Sequence, residues 1–181
     1  MVYLFLANGF EEIEALAPVD FLRRAGVDIK TVGIGGALLE GAHGICVKAD
    51  ITEDEINLDE GLQGVILPGG MPGADNLDKS PVVQKAIDYC AENEKVVAAI
   101  CAAPFVLGEK GLLNGKKATC FPGFEDYLEG ACVVSDGVVT DGKIVTAKGA
   151  GVAWEFGSAI ATLLVGEEKS KGILRAIQWK K

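Results

Sequence analysis

Apolar positions along the chain fall into two patterns. Short unbroken runs read as buried strands: Val2-Tyr3-Leu4-Phe5-Leu6-Ala7, Val65-Ile66-Leu67 and Val96-Val97-Ala98-Ala99-Ile100. Longer stretches between them carry apolar residues at helical spacing. Residues 11–25 predict a helix that stops at Gly26, with Glu11 and Glu12 in its first turn and Arg23 and Arg24 in its last. That charge order suits a helix dipole. Residues 27–33 predict the next strand, and Leu38 to Lys48, broken by Gly41, His43 and Gly44, a hairpin. Ser80 or Pro81 opens a helix to about Asn93. Beyond the Val96–Ile100 strand the spacing predicts a helix over 102–110 and short strands over 116–120, 132–134, 137–140 and 143–147. An apolar helix follows from Trp154 to Val165, then a last one over 168–177. Repeated strand–helix–strand units predict an α/β fold, a mostly parallel central sheet with helices on both faces. No linker or repeat splits residues 1–181, so one domain is expected.

Composition narrows the function classes. Hydrophobic residues make up 49%, yet no run approaches the ~18 apolar residues of a membrane span. The first residues lack a basic region and read as a strand rather than a signal peptide, so a cytoplasmic protein without membrane partners is expected. The net charge is −9 and Lys180-Lys181 is too short for a basic patch, which argues against nucleic-acid binding. The five cysteines, an odd number without CxxC spacing, do not suggest a disulfide framework. His43 is the sole histidine, so a conventional zinc site would need mostly cysteine or carboxylate ligands, and no ligand spacing suggests one. Leu67-Pro68-Gly69-Gly70-Met71-Pro72-Gly73 matches no phosphate-binding fingerprint. Neither a metal nor a cofactor is expected.

The chemistry centres on Cys101. The strand before it stops on the thiol, and Ala102-Ala103-Pro104 open what reads as a helix. A side chain at such a turn points into the crevice at the carboxyl edge of an open sheet. The helix N-terminus favours thiolate over thiol, in a sulfur version of a nucleophile elbow. Glu14 is a candidate partner: Ala17, Pro18, Phe21 and Ala25 share its helical face, and desolvation there would raise its pKa. A protonated Glu14 could donate to a Cys101 thiolate. The alternative leaves Glu14 in solvent beside Glu11 and Glu12. Gly70 and Ala102 could aim backbone N–H groups at an oxyanion, although an ordinary turn explains the glycine run equally well. His43 could act as a base only if the hairpin tip reaches Cys101; otherwise it is a solvated loop residue. Cys46, Cys90 and Cys132 read as buried small hydrophobes, and Cys120 as a redox neighbour of the site. Gly149-Ala150-Gly151 is either packing or site wall.

Taken together, Gly9-Phe10-Glu11-Glu12-Ile13-Glu14, Pro18-Val19-Asp20, Arg23-Arg24-Ala25-Gly26, Leu67-Pro68-Gly69-Gly70, Gly73-Ala74, Asn76-Leu77, Ala99-Ile100-Cys101-Ala102 and Pro104 resemble the ThiJ/PfpI superfamily, and within it the DJ-one branch. The resemblance implies a flavodoxin-like three-layer sandwich and a homodimer. It implies Cys101 as the oxidisable nucleophile, Glu14 as the carboxyl bonded to its sulfur, and Gly70 and Ala102 as backbone donors. Gly69, Cys120 and Phe121 are expected near the pocket. Activities associated with the family are glutathione-independent glyoxalase, deglycase-like repair, oxidative-stress responses and chaperone-like behaviour; older names point to thiazole-phosphate synthesis.

Two departures shape the expectation. Protease-like relatives carry a histidine directly after the nucleophile, where this chain has Ala102, so peptidase chemistry is not expected. Several glyoxalase-active relatives carry a histidine where this chain has Phe121, which leaves Glu14 as the acid/base. The first expectation is therefore a dicarbonyl enzyme working through a Cys101 hemithioacetal. The alternative is a noncatalytic redox sensor or chaperone, in which peroxide takes Cys101 to sulfenic or sulfinic acid. A binding module with a vestigial site is the third.

Overall fold

The computed structural model describes residues 1–180; Lys181, the second lysine of the terminal pair and the last residue of the expected domain, lies outside them. The chain runs β1 (Val2–Leu6), α1 (Glu12–Arg24), β2 (Ile29–Gly33), β3 (Leu38–Glu40), β4 (Cys46–Lys48), β5 (Ile51–Thr52), β6 (Gly64–Leu67), α2 (Gly73–Asp78), α3 (Pro81–Glu92) and β7 (Val96–Ile100). It continues with α4 (Pro104–Glu109), β8 (Lys117–Ala118), β9 (Cys132–Val133), β10 (Val138–Asp141), β11 (Ile144–Ala147), α5 (Ala153–Val165) and α6 (Glu167–Ala176). Seven strands form the central sheet in the order β10-β11-β7-β6-β1-β2-β5. All its pairings are parallel except β10 with β11.

The unbroken apolar runs follow from a sheet covered on both faces. Along β1, Tyr3 and Phe5 enter one core while Val2, Leu4 and Leu6 enter the other. In β7, Val97 and Ala99 point one way and Val96, Ala98 and Ile100 the other. Val83, Ala86, Ile87 and Cys90 of α3 and Val106 and Leu107 of α4 close the first core. Phe21 and Leu22 of α1 and Phe156 and Ile160 of α5 close the second. Helices α1 and α5 touch closely: a Cβ on Gly157 would lie 3.1 Å from Phe21 Cβ and 3.2 Å from Pro18 Cα.

Most predicted elements differ from the observed ones by a residue or two at their ends. Three differences have a structural cause. The helix expected over 102–110 begins only at Pro104, because Cys101 takes a left-handed φ of +65° and the next residues form turns. The strand expected over 116–120 shrinks to Lys117–Ala118. Helix α2 was not expected, since it opens directly on the Pro72-Gly73 end of a run with loop composition. The cysteine expectation also needs correction. Cys90 is buried, but Cys46 and Cys132 are exposed, each on a small two-stranded sheet outside the main one. No helix among the described residues is long and apolar enough to cross a membrane.

Candidate active site

Strand order reverses between β1 and β6. From β1 the chain moves outward through β2 to β5, then returns to β6 and proceeds through β7 to β11. Loops leaving the carboxyl ends of β1 and β6 diverge and leave a crevice, the usual ligand position in open α/β sheets. Four strand ends contribute here. Helix α1 follows β1, Pro68 to Pro72 follow β6, Cys101 follows β7 and Gly149 follows β11.

Cys101 is held on both sides of its peptide. Its N–H donates to the Ala147 carbonyl at 2.8 Å, and its own carbonyl accepts from the Phe121 N–H at 2.8 Å. These bonds fix the residue in left-handed backbone, which is uncommon outside glycine and costs free energy that the surrounding packing must offset. The result is a half-buried thiol at the tip of the turn.

Glu14 is 1% exposed, which excludes the solvent-facing alternative. The cap of α1 places it: Glu11 Oε2 accepts from the Glu14 N–H at 2.6 Å. Glu14 Oε2 in turn accepts from the Gly69 N–H at 3.0 Å. The Cys101 side chain lies against the same carboxyl, the two meeting over Gly69 and Gly149. Gly69 leaves room for the contact, since a Cβ there would lie 2.6 Å from Cys101 Cβ and 2.7 Å from Glu14 Oε2. Gly70 has φ +84°, and its own Cβ would collide with the Gly9 carbonyl and the Glu11 nitrogen. Gly149 is site wall rather than remote packing: a Cβ there would reach within 3.6 Å of Glu14 Oε1 and 3.9 Å of Cys101 Sγ.

Burial pushes Glu14 up to about 7, and the Glu11 charge works in the same direction; the thiol and the Gly69 and Ala150 N–H groups oppose them. Burial, followed by the charge of Glu14 and its hydrogen bond, pushes the Cys101 thiol up to about 12. The backbone N–H groups of Ala102 and Gly70 work in the opposite direction and pull the thiol back down. The expectation that a helix N-terminus would favour thiolate is thus corrected. Helix α4 starts at Pro104, three residues beyond the thiol, and has 6 residues, while burial is the largest influence on the thiol and raises it. Two anions cannot share this pocket, so carboxyl and thiol hold one proton between them over a wide pH range. A thiolate forms when that proton sits on Glu14.

The remaining candidates separate. Phe121 is 48% exposed and lies beside Gly149, where an added Cβ would come within 3.5 Å of its ring. Cys120 is buried and faces a different cavity. His43 sits exposed at the tip of the β3–β4 hairpin, as the solvated-loop reading expects, and pairs with Glu12 rather than with Cys101. Its N–H donates to Glu12 Oε1 at 2.8 Å and its Nδ1 lies 2.7 Å from Glu12 Oε2. Glu12, expected as a first-turn surface charge, is 2% exposed. Burial pushes its pKa up, but the hydrogen bonds from His43 and Ile45 outweigh that and leave it below the ordinary carboxylate value. Ligand atoms of Glu11, Glu12 and His43 lie within 4.8 Å of one another, the one metal-capable cluster among the described residues. Its groups are already engaged, Glu11 as the α1 cap and Glu12 with His43.

Residues 1–163 match the model of the DJ-1/PfpI family. The chain belongs to this family. Protein DJ-1 homolog B of Arabidopsis thaliana is 37% identical over 172 residues, covering 93% of this chain and 39% of that protein. This chain therefore spans less than half the length of that relative. A Pyrococcus horikoshii protein named as a deglycase is 33% identical over 154 residues, covering 82% of this chain and 90% of its own. The solved structure of oxidized Toxoplasma gondii DJ-1 superposes with a TM-score of 0.94 at 32% identity, covering 99% of this chain and 98% of that one. The expected flavodoxin-like sandwich is thus the fold of solved DJ-1 proteins.

Proposed function

We propose that this DJ-1/PfpI chain is a cysteine-dependent stress protein acting on reactive dicarbonyls, with Cys101 as nucleophile and Glu14 as acid/base. One observation carries the reading: a part-exposed thiol on left-handed backbone lies against a buried carboxyl, which burial pushes up to about 7. A carboxyl so placed can both give and take a proton at neutral pH. The Cys101 thiolate adds to the aldehyde carbon of a methylglyoxal-like substrate, and protonation of the alkoxide by Glu14 gives a hemithioacetal. The Gly70 and Ala102 N–H groups steady the oxyanion. Glu14 then moves the proton from the former aldehyde carbon to its neighbour, leaving a 2-hydroxy thioester. Water hydrolyses that ester, releasing the 2-hydroxy acid and restoring the thiol. No cofactor enters this sequence, and the deglycase name of the archaeal relative supports the carbonyl class. The test is lactate formation from methylglyoxal by the pure protein. Sustained turnover is expected, and its absence sinks the reading.

The second reading is redox sensing, favoured by the half-exposed Cys101 and by the oxidized state named for the Toxoplasma gondii structure. In that case peroxide adds oxygen to Cys101 while dicarbonyl turnover stays negligible. Both readings place the protein in a reducing, cytoplasmic setting, consistent with its free cysteines. A homodimer belongs to either. Ile13, Leu16 and Ile45 expose apolar side chains where α1 meets the hairpin, a surface a second copy would cover. Sedimentation velocity should return the mass of two chains; the mass of one would remove this element.

A further inference from the structure

Phe121 belongs to neither core of the sheet and is 48% exposed. Its aromatic neighbours pack on one another instead: the rings of Phe105, Phe124 and Tyr127 have centroids between 5.8 and 6.4 Å apart, and the Phe121 ring lies outside that cluster. A lone exposed apolar side chain is ordinary in itself. This one is tied to the nucleophile. Its N–H donates to the Cys101 carbonyl at 2.8 Å, and its own carbonyl accepts from the Phe124 N–H at 3.1 Å. The backbone that carries the ring is therefore held against the Cys101 turn.

Gly149 locates the space beside the ring. A Cβ added there would stand 3.5 Å from Phe121 Cδ2, 3.6 Å from Glu14 Oε1 and 3.9 Å from Cys101 Sγ, and these are its three nearest atoms beyond the chain neighbours. The segment after β8, helix α1 and the turn after β7 thus converge on one open point. An atom at that point touches the ring, the carboxyl and the sulfur at ordinary van der Waals distance. It stands too far from sulfur to be the carbon under attack, which would approach to about 3–3.5 Å, and is placed for an atom attached to that carbon. The Phe121 ring offers no hydrogen-bonding atom, so it favours an apolar substituent there. It favours a flat one most, because aromatic pairs gain beyond simple burial. The charge of Glu11 reaches Glu14 in the same crevice, which disfavours an anionic substituent.

We propose that Phe121 is the specificity-determining residue of the Cys101 site, receiving the substituent of the carbonyl substrate and selecting a neutral aryl group over methyl. On the dicarbonyl reading, on which the choice of substrate rests, the favoured class is an aryl 2-oxoaldehyde. Phenylglyoxal then takes the place of methylglyoxal. Sulfur bonds its aldehyde carbon, Glu14 moves the proton from that carbon to the one bearing the phenyl group, and water releases mandelic acid and the thiol. The aldehyde carbon is oxidised as the ketone carbon is reduced, so phenylglyoxal and one water supply every atom of the product and no outside oxidant enters. The ring contact itself does not require turnover, since any carbonyl electrophile that reaches Cys101 meets the ring.

The contact is tested by labelling. Phenacyl bromide and bromoacetone alkylate thiols in the same way and differ in carrying phenyl or methyl on the ketone. Each is applied to the full chain, and adducts at Cys101 and at exposed Cys132 are timed by peptide mass spectrometry, Cys132 supplying the intrinsic reactivity of the two reagents. The Cys101 preference for phenacyl bromide, divided by that of Cys132, should be about three- to tenfold in the parent and close to one in Phe121→Ala. The substitution removes the ring, keeps the N–H that binds Cys101 and alters a side chain outside both cores; a merely structural loss would slow both reagents alike. No Cys101 adduct, a ratio near one in the parent, or an unchanged ratio in the variant would overturn the proposal. In turnover, kcat/KM for phenylglyoxal relative to methylglyoxal should fall by the same factor in Phe121→Ala. Labelling that follows the ring, with neither dicarbonyl turned over, keeps the subsite and removes the dicarbonyl reading. Turnover with labelling indifferent to the ring removes the subsite and keeps that reading.

Discussion

Cys101→Ser is expected to lower methylglyoxal turnover by about a thousandfold or more and to remove the peroxide-induced mass increase at this position. The substitution keeps the size of the side chain and leaves the backbone bonds to Ala147 and Phe121 in place. What it removes is an acid that can give up its proton to a carboxyl titrating near 7. In the proposed mechanism sulfur and Glu14 exchange one proton, with the Ala102 and Gly70 N–H groups on the sulfur side. A serine hydroxyl is far too weak an acid for that exchange, and the sole histidine is bound to Glu12. The serine variant should therefore fold, show an unchanged melting midpoint within a few degrees, and be inert. Turnover retained in a well-folded serine variant would move the chemistry away from this residue altogether.

The two readings diverge at this thiol in one respect. Catalysis requires the thiol to be regenerated after every cycle, with the proton it gave to Glu14 returned. Sensing requires only that the thiolate meet peroxide once. A buried carboxyl of nearly neutral pKa serves both, which is why turnover, rather than reactivity, separates them.

How much of this was legible in the chain depends on the range of the contacts involved. The strands β1, β6 and β7 were readable because a sheet covered on both faces leaves continuous apolar runs. Cys101 was readable because its strand stops on it, and Glu14 because Ala17, Pro18 and Phe21 share its helical face. The burial of Glu12 was not. It depends on a hairpin some thirty residues away folding over the start of α1, a contact with no local period. The available signal was Gly41, whose Cβ would run into the Glu12 side chain. The direction of the Cys101 shift was missed for a related reason. Helix fields can be guessed from local spacing, but desolvation is set by the crevice as a whole, and here it is the larger effect. Helix α2 was hidden because its first turn is made of residues that elsewhere mark loops.

Glu14→Gln should change the pH profile of Cys101 alkylation, read by peptide mass spectrometry. In the parent protein the pair carries two protons below about pH 7 and the thiol is unreactive there; above it the pair keeps one shared proton. Alkylation draws on the tautomer with the proton on Glu14, so its rate should rise through an apparent pKa near 7, below the ~8.5 of a free thiol. Glutamine can still accept the Gly69 N–H and can donate its amide to sulfur, but it cannot titrate. The charge that opposes a thiolate disappears, the burial penalty stays, and the step near 7 should vanish, leaving the single ionisation of an isolated thiol. Dicarbonyl turnover should fall by about 10²–10⁴-fold, the usual contribution of a positioned acid/base. A step near 7 that survives in the glutamine variant would mean that another group holds the proton, and an apparent pKa above 9 in the parent would mean that the proton never leaves sulfur. Either outcome would end the assignment of Glu14 as the partner of Cys101, leaving the carboxyl only its structural bond to the Gly69 N–H.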